Sequence, residues 1–181
     1  MFKKLLLIII PFILFSCTSS VDEVEIKKAN QFFESIFQDR VLDSPEFQAS
    51  LGYKSNYDKW DDITWQNSRR KAKQAIDDLA YLRENINFDK LDESTKISYL
   101  LMEKRLQRTI DNDKFIFHGY MITHRGGKHS SIPSFLINYH KIDEEQDVKD
   151  YIGRLRNIES LMNDLIEQLR LRQDVKKIAP A

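Results

Sequence analysis

Apolar residues recur three and four apart along most of this chain, and that rhythm predicts helices. Between Val24 and Asp39, the residues Ala29, Phe32, Phe33, Ile36 and Phe37 fall on one helical face. Ser44-Pro45-Glu46 reads as an N-cap with proline at the first helical position, opening a short helix that stops at Gly52. Ala72, Ile76, Leu79 and Leu82 form the stripe of a second long helix, capped by Asp61 or Asp62 and ending near Asn85. A third starts around Asp92 to Ser94. There Ile97, Tyr99, Leu100, Leu101, Met102, Leu106 and Ile110 cover more than one stripe, which predicts a central helix packed on two sides.

Toward the end, Val148, Tyr151, Leu155, Ile158, Met162, Leu165 and Leu169 alternate steps of three and four over three heptads. Such a seam requires a partner helix, either inside a bundle or in an intermolecular coiled coil. Ile152, Leu161 and Ile166 widen it beyond a strict seam and favour the bundle. The rhythm breaks between Asp111 and His140. Phe115 to Ile122 is β-branched and aromatic, Gly126-Gly127 punctuates, and Pro133 is expected to open a short helix. The fold class that follows is mainly α: a helical bundle with an irregular central segment.

The first seventeen residues carry a different pattern. Lys3 and Lys4 precede an apolar run from Leu5 to Phe15, then Ser16 and the only cysteine, Cys17, which are the zones of a secretory leader. The run is too short for a spanning helix, which needs about twenty residues. The pattern resembles the lipobox of bacterial lipoproteins, whose peptidase cuts before a cysteine that already carries a diacylglycerol. Phe15 stands where that pattern prefers a small or aliphatic residue, so plain secretion with a free Cys17 remains the alternative. The expected organisation is a leader over 1–16, a flexible tether over 17–25 and a helical body over 26–181. Asp22 and Glu23 in the tether resemble the surface-export signal of some Bacteroidota lipoproteins. A lipid on Cys17 would make the membrane its partner and the bacterial envelope its location, with the outer membrane favoured and surface display as a further step.

Composition narrows what the body can do. Loss of Lys3 and Lys4 with the leader leaves 26 basic against 28 acidic residues, so there is no electrostatic case for nucleic acid. With Cys17 committed to lipid, neither a disulfide nor a thiolate zinc site is available. At 41% apolar residues the composition is globular, and burial alone must hold the fold. His118, His124, His129 and His140 all lie in the irregular stretch. None belongs to an H-E-x-x-H motif and no two have the i, i+4 helical spacing that puts two imidazoles on one metal, so loop backbone is their expected partner. Ser130 and Ser131 lack the strained turn of a nucleophilic serine and read as helix-capping candidates. Gly126-Gly127-Lys128 lacks the spacing of a phosphate loop. The pairs Asp61/Asp62, Asp77/Asp78 and Glu144/Glu145 sit at helix starts or on polar faces. No catalytic residue, metal ligand or cofactor-binding residue emerges.

Gly127-Lys128-His129-Ser130-Ser131-Ile132-Pro133-Ser134-Phe135-Leu136, then His140, then Asp147 through Tyr151 to Arg154-Leu155, resembles the N-terminal half of the domain of unknown function 885 family. That family has a G-x-H-[ST]-x-[LI]-P-x-[FL] block followed by an aspartate-led helix with a Tyr…Arg-Leu pattern. The resemblance reaches back through Leu91 to Leu106 and through Ser44-Pro45 to Leu51-Gly52. Its members are typically longer, often bacterial lipoproteins, and look like all-helical zinc metallopeptidases with a His-Glu motif in their C-terminal half. The resemblance therefore implies the N-terminal part of a larger all-helical domain, with zinc expected only in the missing half and a peptide substrate only for the full-length form. Gly127, His129 and Pro133 match the block and would line its substrate cleft. On the residues alone, the glycine serves a turn and the proline a helix start.

Overall fold

The computed structural model describes residues 21–176, and the leader, Cys17 and residues 177–181 lie outside them. The first helix, α1 (Glu23–Leu42), is capped by Asp22, whose side chain accepts from the Val24 amide. Residues 23–25, expected to be tether, are instead its first turn, because Glu23 and Glu25 complement the helix N-terminus there. Ser44 caps α2 (Pro45–Ser50), with Pro45 at its start, as the sequence pattern predicts.

Thr64 caps α3 (Trp65–Asn85), not Asp61 or Asp62. Both aspartates are engaged one turn earlier: Asp61 accepts from Ser44 Oγ at 2.6 Å and the Glu46 amide at 2.8 Å, and Asp62 accepts from the Thr64 amide at 2.8 Å. A single 3₁₀ turn (Phe88–Lys90) leads to α4 (Glu93–Asn112), capped by Asp92. The α1 and α3 helices run antiparallel. Gln74 bonds Asp39 at 3.3 Å near one end, while Lys28 bonds the Asn85 carbonyl and the Asn87 amide bonds Glu25 near the other.

These three long helices bury one core, built from Ala29, Ala75, Leu79, Leu82, Ile86, Leu91, Tyr99 and Leu106. Leu82 and Leu91 are fully enclosed, each contributing about 2 kcal/mol of burial. The α4 helix packs on one side only. Ile97, Leu100 and Leu101, read above as its second packed stripe, are 60%, 51% and 65% exposed, since α1 and α3 both lie against the opposite face.

The segment from Phe115 to Ile122 does not form a strand. It winds through a 3₁₀ turn (Asp113–Phe115) and further turns, and pairing is confined to β1 (Ile122–Thr123) and β2 (Gly126–Gly127), antiparallel with Ile122 opposite Gly127. Then come α5 (Lys128–Asn138), α6 (Glu145–Arg156) and α7 (Ile158–Asp174). Pro133 lies inside α5 rather than at its start, and Ser130 and Ser131 lie within it as well, with Gly127 in the cap position. The expected long last helix is broken at Asn157, whose side chain donates to the Asp58 carbonyl at 3.1 Å. Ile132, Leu136 and Leu161 form a second core, completed by Trp60, Ile63, Tyr151, Ile158 and Met162.

The buried line of α6 and α7 is Asp147, Arg154, Leu161, Gln168 and, beside it, Leu165 and Arg172. Val148 and Leu155, assigned to the seam from their apolar character, are 41% and 42% exposed. The seam holds at Tyr151, Ile158, Met162 and Leu165, but at Val148 and Leu155 the buried places are taken by the polar neighbours Asp147 and Arg154, and the buried polar side chains of both helices have work inside. Gln168 Oε1 accepts from the Trp65 amide at the start of α3, while Arg172 donates to the carbonyls of Gly119 at 3.1 Å and Ile116 at 3.2 Å. The loop after α4 and the first turn of α3 are thus fastened to α7.

Candidate functional site

The family-like block places its residues in two layers. In the outer layer, the β1–β2 hairpin delivers the chain into α5 through Gly127, at φ 154°. A Cβ there would lie 2.8 Å from the Met121 carbonyl oxygen and 3.1 Å from His129 Nδ1. No larger residue fits, which accounts for the glycine by close approach. Lys128 ties the start of α5 to α2 through Glu46 at 2.6 Å, with both side chains largely buried. Beyond it, His129 and Pro133 are exposed, and Ile137 is 79% exposed. Spaced four apart, they form one outward stripe of α5, while Ile132, Phe135 and Leu136 point into the core.

The inner layer is a hub around Arg154, which has no exposure at all. Its Nε donates to the Lys59 carbonyl at 2.9 Å, its Nη1 meets His140 Nδ1 at 2.9 Å, and its Nη2 donates to the Pro45 carbonyl at 3.4 Å. The rings of Phe135, Tyr57 and Trp60 stand 4.7, 5.1 and 5.5 Å from the guanidinium carbon, supplying the π-faces that stabilise a desolvated cation. Burial lowers its pKa from the usual arginine value, and the charge persists because arginine does not deprotonate in proteins.

His140 is fixed in one tautomer. A guanidinium can only donate and a carbonyl can only accept, so Nδ1 accepts from Arg154 while Nε2–H donates to the Asp147 carbonyl at 3.0 Å. Its ring stacks on Tyr57 with centroids 4.0 Å apart. Burial pushes its pKa below the ordinary histidine value, and the Arg154 charge adds to this against the opposing pull of the Asp147 backbone bond. The Asp147 carboxylate accepts from Lys54 Nζ at 2.6 Å and from the amides of Asp143 and Glu144 at 2.8 and 3.0 Å. Lys54 holds its pKa below the usual carboxylate range, helped by those amides.

Chemically, this hub holds rather than reacts. Both nitrogens of His140 are occupied, and Ser130 Oγ donates to the Gly127 carbonyl at 3.0 Å instead of meeting a base. The four histidines are not brought together. His140 is buried, whereas His118, His124 and His129 are exposed, and His118 packs edge-on to Phe115. Among the described residues no group of three His, Cys, Asp or Glu side chains converges on a possible metal position. Sequence reasoning passed over Lys54, Tyr57 and Trp60, and it met Asp147 and Arg154 only as part of the family block. Their signal was positional: two oppositely charged residues one heptad apart in an otherwise apolar repeat.

A mainly α body with a tiny hairpin and a buried arginine hub defines the class of this protein by architecture alone. The chain belongs to the family described as "Bacterial protein of unknown function (DUF885)", with the match running over residues 45–181. The hub lies wholly inside that range, and α1 lies before it. No curated protein and no solved structure matches the chain.

Proposed function

We propose that this chain is a lipid-anchored lipoprotein of the bacterial envelope, attached through Cys17 at the outer membrane and open to display on the cell surface. Its helical body is the non-catalytic, N-terminal part of a metallopeptidase-like protein, and any zinc belongs to a C-terminal half. In that longer form, the outward α5 stripe of His129, Pro133 and Ile137, set behind Gly127, is the wall offered to a peptide. One observation carries this reading: His140, Asp147 and Arg154 are consumed by the bonding of the hub, while His129 and Pro133 are left facing outward. The leader sequence supports the anchor. Asp22, the α1 cap, is only five positions after Cys17, a reach of at most about 18 Å, so the body stays close to the membrane. A self-contained binding lipoprotein is the second reading, favoured by the side-chain caps on α1 to α4 and the closed bonding of the hub.

The anchor is tested by metabolic labelling with palmitate and membrane fractionation. Wild-type protein is expected to take up label and pellet with membranes, and Cys17→Ser is expected to do neither. A Cys17→Ser variant that still pellets overturns lipid anchoring.

A further inference from the structure

The outer face of α4 carries an ordered stripe. Ile97, then Leu100 and Leu101, then Lys104 and Arg108 succeed one another at helical steps of three and four, and all five are exposed. The first half of the stripe is apolar and the second half is basic. Arg105 flanks the basic half and is exposed as well. Among the described residues, Lys104, Arg105 and Arg108 form no ion pair. Tyr99 and Leu106, on the opposite side of the helix, are held in the core with α1 and α3, so the stripe faces away from the bundle.

The apolar half lies at the end of the bundle from which the chain leaves for Cys17. Arg83, late in α3, pairs with Glu103 at 2.8 Å, and Arg69, early in α3, approaches Asp113 at 3.9 Å, so α4 runs antiparallel to α3. Since α1 does too, α1 and α4 start at the same end. There the Asp22 amide donates to the Lys90 carbonyl at 2.9 Å, and the Asp22 carboxylate pairs with Lys90 at 3.4 Å. Leu101 lies about 14 Å along the helix from Asp92, at 1.5 Å per residue. That is within the span of about 18 Å open to the chain between Asp22 and Cys17. Val21 and Val24 add exposed apolar surface at this end. Of its acidic residues, Asp22, Glu25 and Glu93 pair with Lys90, Lys28 and Lys96, and Glu23 and Asp89 lie on other elements.

Exposed apolar side chains beside unpaired cations match the boundary between lipid tails and anionic headgroups. We propose that α4 docks on the bilayer that holds the anchor: Ile97, Leu100 and Leu101 enter the headgroup boundary, and Lys104, Arg105 and Arg108 lie on anionic lipid phosphates. The docking rests on the lipid at Cys17, which keeps the stripe within reach of the surface. It gives the body a fixed face toward the membrane, where a tether alone leaves it free to turn.

The test uses the full lipidated chain, reconstituted into phosphatidylcholine vesicles with or without phosphatidylglycerol. Acylation of Cys17 leaves no other thiol, so Leu101→Cys takes a single environment-sensitive fluorophore. Asn163→Cys, at an exposed position of α7, takes the same probe as the control. With phosphatidylglycerol present, the probe at position 101 is expected to shift to shorter wavelength. Nitroxide-labelled lipid should quench it about twofold more than the probe at position 163, as for a side chain at the headgroup boundary. Phosphatidylcholine alone, or Lys104→Glu combined with Arg108→Glu, should remove about half or more of that difference, since each cation adds attraction to an anionic surface. Flotation with the vesicles is read separately. A chain that does not float overturns the anchor and the docking with it. A chain that floats but is quenched equally at both positions, or is unaffected by the charge reversal, overturns the docking and leaves the anchor standing. A shift at position 101 that grows with protein concentration in lipid-free detergent assigns the face to a second copy of the chain and likewise overturns the docking.

Discussion

Arg154 has exchanged water for three carbonyl or ring-nitrogen acceptors and three aromatic faces, so its side chain cannot be removed without stranding those partners. Arg154→Ala is expected to lower unfolding free energy by about 3–5 kcal/mol, read from the urea midpoint. Leu155→Ala, at its exposed neighbour, should change it by no more than about 0.5 kcal/mol. His140 makes the hub sensitive to acid. Its pKa is lowered in the fold, so the unfolded chain binds the proton more readily, and the stabilisation present above about pH 6.5 declines as pH falls below that value. Denaturation curves between pH 7.5 and 5 should therefore lose stability in the wild type and flatten in His140→Asn. Asp147, whose pKa is lowered below 3.8, adds a second loss at pH below that value. These roles were hard to read in the sequence because periodicity weighs apolar character. Val148 and Leu155 outscore Asp147 and Arg154 on that scale, and only the partners contributed by residues 45–60 and 140 reverse the ranking.

At the scale of elements, local capping chemistry was legible wherever the capping residue had no competing partner. Ser44-Pro45 and Asp92 start α2 and α4 as their sequence signals indicate, whereas α3 starts later than expected because Asp61 serves α2. The hairpin before α5 depended on a property of one residue. Gly127→Ala should destabilise the protein by about 1–3 kcal/mol, measured by thermal unfolding, since the new methyl meets the Met121 carbonyl and the backbone φ is one that only glycine adopts easily. Gly126→Ala serves as the control, because its nearest non-neighbour atom to an added Cβ is Ser130 Oγ at 3.9 Å. The break between α6 and α7 carries no glycine or proline signal. It follows from a tertiary contact, the Asn157 side chain on the Asp58 carbonyl.

For the whole molecule, the helical class and the family were both visible in the chain, and the distribution of surface was not. Density of apolar residues in α4 suggested two packed sides, yet one stripe stays in solvent. Leu101→Glu should therefore leave the urea midpoint within about 0.5 kcal/mol of wild type, while Leu82→Ala, in the closed core, should lose about 2–5 kcal/mol. The candidate site was legible to the same partial degree. Its block could be picked out by resemblance, but which of its residues face outward depends on how α5 rolls against Trp60 and Tyr151, and no local pattern encodes that.

The hub also imposes an order of events on a chain made from its N-terminus. The bonds from Tyr57, Trp60 and Arg154 join residues 82 to 95 positions apart, whereas the core of α1, α3 and α4 is complete once residue 112 has emerged. Until Arg154 arrives, Tyr57 and Trp60 are aromatic rings waiting without their cation. A nascent chain paused in that interval carries the complete core of α1, α3 and α4 beside an aromatic cradle still without its cation.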